Sequence, residues 1–124
     1  MGEVFMGASA VGGLKTETGH YVFNQKLTGS QWGTEFLIRA FSTNPKMIII
    51  YSRNIVKVNG TNSGYIILMD GSNGFGEISN YSMPNNYVAI KLLGNKLVAI
   101  PGKSSFDEPM FDKYPISLDY IVFF

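Results

Sequence analysis

The sequence predicts an all-β fold. It reads as a single antiparallel β-sandwich or barrel of about seven to nine short strands, with one short helix allowed near residues 30–42. Three observations predict it. The 124-residue chain carries 8 Val, 12 Ile and 6 Thr together with 17 aromatics. Such stiff or wide side chains suit a pleated surface better than a helix. Ala, the best helix former, occurs only 5 times, while 14 Gly, 11 Ser, 10 Asn and 5 Pro punctuate the chain at short intervals.

The elements follow in order. Residues 1–19 hold five of the 14 glycines, and glycine is entropically costly to order. We read them as a Gly-rich arm, free or ordered only on a neighbouring subunit, ahead of a β-domain over 20–124. Tyr21, Phe23 and Leu27 alternate with Asn24 and Lys26, the period of a half-buried strand. Ser30 to Ser42 fits a helix with Ser30 as N-cap, a Trp32, Phe36 and Ala40 stripe and a Glu35/Arg39 pair. Gly33 weakens that helix, and Thr34 to Phe41 also alternates as a strand. Met47 to Tyr51 is continuously apolar, as in a strand covered on both faces. Ser52-Arg53-Asn54 reads as a short turn into Ile55 to Val58, and Asn59-Gly60 opens the next loop. Tyr65 to Met69 and the turn-rich Asp70 to Gly74 follow. Tyr87 to Leu93, Gly94-Asn95 and Lys96 to Ile100 form the clearest hairpin, its Gly-Asn suiting a type II′ turn. Residues 101–115, with three prolines, read as a long loop. In the last strand Ile116, Leu118, Tyr120, Val122 and Phe124 share one face.

Composition narrows function. Charged residues are 15% of the chain, hydrophobic residues 45%, and the net charge is +1. This excludes a disordered chain and a nucleic-acid binder working by bulk charge. With no cysteine there are no disulfides, thiolate zinc sites or cysteine nucleophiles. Apolar runs of about five residues fall far short of a membrane helix. The first basic residue is Lys15, so no signal peptide is expected. Asn59-Gly60-Thr61 and Asn80-Tyr81-Ser82 match the glycosylation pattern and read as turns.

Catalytic patterns are thin. A serine triad must use His20, the single histidine, and Ser9 lacks the closing glycine of a nucleophile elbow. Glu35 and Glu77 form a carboxylate pair only if the fold joins them. The acidic loops at Asp70 to Glu77 and at Asp107, Glu108 and Asp112 offer oxygen donors, but Phe75 stands where a calcium loop needs glycine. We expect no metal and no cofactor.

Recognition has more support. Trp32, Phe75 and Tyr81 flank Gly- and Asn-rich turns, with Asn62, Asp70 and Asn73 nearby as polar partners. Tyr, Trp, Ser, Gly and Asn are the residues of adaptable binding loops. Few charges also leave few residues to blunt sheet edges, which favours a homo-oligomer. The short strands, Asn/Gly/Ser turns, absent Cys and Gly-rich start together resemble the small β-modules of phage virions and tail appendages. That resemblance implies a non-enzymatic structural module that oligomerises and binds a glycan or protein receptor. A small hydrolase using His20 or Glu35/Glu77, and a small-ligand β-barrel, are the alternatives.

Overall fold

The computed structural model describes residues 15–103 and 111–124. Of the Gly-rich arm read over 1–19, residues 1–14 lie outside the described residues, as do Asp107 and Glu108, whereas Thr16 to Gly19 already belong to the first strand. Among the described residues eight strands follow one another: β1 (Thr16–Phe23), β2 (Phe36–Ala40), β3 (Met47–Val58), β4 (Thr61–Met69), β5 (Phe75–Asn80), β6 (Met83–Leu93), β7 (Lys96–Lys103) and β8 (Ile116–Phe123). All pairings are antiparallel, in the order β1-β8-β3-β5-β6-β7-β2, with β4 on β3. The result is one nearly closed, barrel-like sheet, as the residue types require.

The helix allowed near 30–42 does not form, and the alternative strand over Thr34 to Phe41 is realised as β2. A single 3-10 turn, Gly29–Gln31, precedes β2. The Thr28 N–H donates to Gln31 Oε1 (2.8 Å) across that turn, and Gly33 then takes φ +82°, which no helix tolerates. Tertiary pairing decides the rest: β2 gains a ladder with β7 that a lone helix could not match. Arg39 leaves its would-be helical partner Glu35 and bonds Glu17 on β1 instead. That ion pair spans the side of the barrel where the two ends of the strand order meet.

The expected turn at Ser52-Arg53-Asn54 is also replaced. β3 runs through it as a strand, with five steps from Tyr51 to Val56 against two from Tyr65 to Ser63 on β4. This bulge bends β3, so that its first half pairs with β8 and its second half with β5. Side chains carry the ladder across the bend. Ser52 Oγ donates to the Ser117 carbonyl, and Asn54 Oδ1 accepts from the Ser117 N–H (3.0 Å).

Two of the short hairpins use the chemistry expected of them. Asn59 (φ 54°) and Gly60 (φ 77°) are both left-handed, the requirement of a type I′ turn between β3 and β4. Gly94 (φ 63°) alone is left-handed at the β6–β7 turn, as type II′ demands. The interior is packed by side chains such as Phe23, Ile48, Ile50, Ile78, Ile90 and Leu118, each at most 1% exposed. Ile116, Leu118, Tyr120 and Val122 do share the buried face of β8. Phe124 follows the strand and packs edge-on against Phe41 (5.8 Å).

One expectation fails in an informative way. Only one face of Met47 to Tyr51 is covered: Ile48 and Ile50 point inward, while Met47 and Ile49 are half-buried and Tyr51 is exposed. Cross-strand register extends this outer face. Met69, Met47 and Phe123 lie in one row, and Ile67, Ile49 and Ile121 in the next. Tyr65 and Tyr51 form the third row, which ends on Asp119 and His20.

Candidate functional site

With the interior filled, ligand-sized space lies on the outer surface. A groove of about 490 Å³ crosses β5, β6 and β7 and includes Trp32 and Phe75 among its walls. The two aromatics are 43 positions apart in sequence and come from separate turns. Their floor is built by small residues in register: Ala89 lies opposite Glu77 on one side and Ile100 on the other, and Tyr87 lies opposite Gly102. A β-carbon on Gly102 would fall 2.6 Å from the Tyr87 ring, so glycine is what lets that ring lie flat against β7.

Each wall is held in place. Trp32 closes the 3-10 turn, whose next residue is pinned when the Gly33 N–H donates to the Pro101 carbonyl (2.9 Å). Its ring leans on the buried Phe111 (centroids 6.1 Å), which in turn packs edge-on against Phe23 (5.1 Å). One side of the indole therefore belongs to the core, and the other borders the groove. Phe75 opens β5 opposite Lys91, whose ammonium sits 5.4 Å from the ring centroid, a cation–π contact. Glu77, half-buried, brings a carboxylate to the same groove. Aromatic walls, one acceptor and one donor on a rigid sheet suit a neutral, polyhydroxylated ring: apolar faces stack, and hydroxyls take the edge hydrogen bonds.

The other expected binding residues go elsewhere. Asn73 lines a smaller hollow of about 160 Å³ next door, sharing Lys91 with the main groove. Asp70 is exposed in the same β4–β5 connection, where its N–H donates to the Lys46 carbonyl (3.0 Å). Asn62 and Tyr81 line a third hollow of about 310 Å³ at the bend of β3. Of the six, the sheet brings Trp32 and Phe75 into one groove and Asn62 and Tyr81 into another. Glu77, Tyr87 and Lys91 join the first pair, and alternation along β5 and β6 was the signal that could have placed those three on one face.

The residues of the catalytic alternatives come from β1, β5 and the segment before β2. His20 and Asp119 are cross-strand partners, with His20 Nδ1 2.8 Å from Asp119 Oδ1. The pair stands on the open outer face, where water screens it. Glu35 is exposed in the segment before β2, and Glu77 lies in the groove. Among the described residues, no three His, Asp or Glu side chains gather as a metal site would need. The two glycosylation-like asparagines sit at turns, and Asn80 Nδ2 donates to the Pro115 carbonyl (2.9 Å). Compared with known families, curated sequences and solved structures, the chain matches none.

Proposed function

We propose that the chain is a non-enzymatic β-module of the virion or tail-appendage kind, which assembles as a homo-oligomer and holds a glycan in the Trp32–Phe75 groove. The observation that carries the ligand part is the pairing of those two aromatics with Glu77 and Lys91 over the Ala89 and Gly102 floor. A sugar ring stacked on Phe75 would turn its hydroxyls toward Glu77 and Lys91. The rigid sheet supplies preorganisation, so little ordering entropy opposes binding.

A glycan array with the full chain tests this, followed by the Phe75→Ala and Glu77→Gln variants. These two change exposed or half-buried groups, whereas Trp32 also supports the core. Loss of one stacking platform should weaken binding about two- to tenfold, since aromatic contacts of this kind contribute roughly 0.5–1.5 kcal/mol. Binding that is indifferent to both substitutions, or no glycan bound at all, would remove the groove from the reading.

A further inference from the structure

We infer that the outer face of β4, β3 and β8 is the contact between two copies of this chain, packed sheet against sheet about a two-fold axis. This rests on the homo-oligomer reading and names its surface.

Two uninterrupted rows across three strands carry no charge: Met69–Met47–Phe123 and Ile67–Ile49–Ile121. Tyr65 and Tyr51 extend them, at 52% and 44% exposure. Ile67 and Met69, on the outermost strand, are 47% and 48% exposed. A large side chain presents about 200 Å², so these eight leave on the order of 500 Å² of contiguous apolar surface open. That lies in the upper part of the range for the largest patch on a monomer, roughly 300–600 Å², and patches of that size are often functional. Two such faces would bury on the order of 1,000 Å² between them, the size at which a specific interface begins.

The identity of the occupant follows from the same features. The continuous apolar runs Met47 to Tyr51 and Tyr65 to Met69 are the pattern of strands covered on both sides. The described fold covers one side. The two central rows of the open side carry no charge, so they offer a charged partner nothing to complement. A two-fold contact needs only one patch, because the surface is its own partner. Paired sheets of this kind sit about 10 Å apart with their side chains interleaved. Residues Thr61 to Met69 of β4 also contain no charge and no proline, the devices that keep neighbours away from a sheet edge. His20 and Asp119 then form part of the polar rim.

Light scattering coupled to size exclusion, run on the full chain over a range of concentrations, tests the proposal. The expected species has twice the 13.7 kDa chain mass. An Ile67→Glu, Met69→Glu variant should dissociate at least tenfold more readily while keeping its far-ultraviolet spectrum. Leu37→Glu, at an exposed position on β2 outside this face, should not change the dimer. A monomeric wild type overturns the contact and the oligomer reading together. An oligomer unmoved by the β4 substitutions overturns the contact alone. A wild type that dimerises only after removal of residues 1–14 assigns the face to the chain's own N-terminal segment and overturns the proposal. Vesicle binding by a monomer that the same substitutions abolish would assign it to lipid, with the same consequence.

Discussion

Gly76 and Ile66 meet inside the barrel, and altering them together measures how tightly β4 is pressed onto β5. A β-carbon at Gly76 would fall 2.3 Å from Ile66 Cγ1 and 2.4 Å from Cδ1. Carbon atoms prefer about 3.5–4.0 Å, so Ile66 must shift by more than an ångström to admit one methyl. Ile66 is 1% exposed and has no open space to enter. Gly76→Ala should therefore cost about 1–3 kcal/mol by overpacking. Ile66→Ala should cost about 2–5 kcal/mol by leaving a cavity. In the double variant the new methyl occupies part of the vacated volume, so the total should fall short of the sum by about 1–3 kcal/mol. Four proteins unfolded in urea at one fixed concentration give the cycle; the fixed concentration removes any contribution from association. Thermal midpoints should follow at roughly 4 °C per kcal/mol for a chain of this size. Costs that simply add, within about 0.5 kcal/mol, would mean the two residues do not share the space.

Two further outcomes follow from the fold. Asn54→Ala removes the acceptor for the Ser117 N–H at the bend of β3 and should cost about 1–3 kcal/mol in urea unfolding, while Asn54→Asp retains an acceptor and most of the stability; equal losses for both variants would show that the side chain serves the bend in another way. Burial raises the Tyr21 phenol above its ordinary 10.0, so its share of stability is complete below pH 10 and is lost as pH climbs through the folded value. Tyr21→Phe should flatten the alkaline fall in stability, and parallel pH profiles for the two proteins would contradict the assignment.

What the residues announced and what they concealed divides along sequence distance. Gly94-Asn95 and the alternation of Ile116, Leu118, Tyr120 and Val122 are local signals, and the fold uses both as read. At residues 30–42 two local signals competed, and a ladder to β7, some 60 positions away, settled the matter. Ser52 and Asn54 looked like a turn because their side chains favour turns; here they bond Ser117, 65 and 63 positions on. The candidate groove was half legible. Trp32 and Phe75 stood out as aromatics beside flexible turns, but their meeting depends on three strands in register, which no short window contains. Glu77, Tyr87 and Lys91 looked like ordinary strand residues until the sheet put them on one face.

The twelve residues of β3 are shared property. Met47 to Tyr51 are laced to β8, and Ile55 to Lys57 to β5. Neither half of the sheet can come apart without stripping this common member, so loss of order on one side must unsettle the other. The chain should thus melt as one body, with the bent strand acting as the keel on which both flanks are laid.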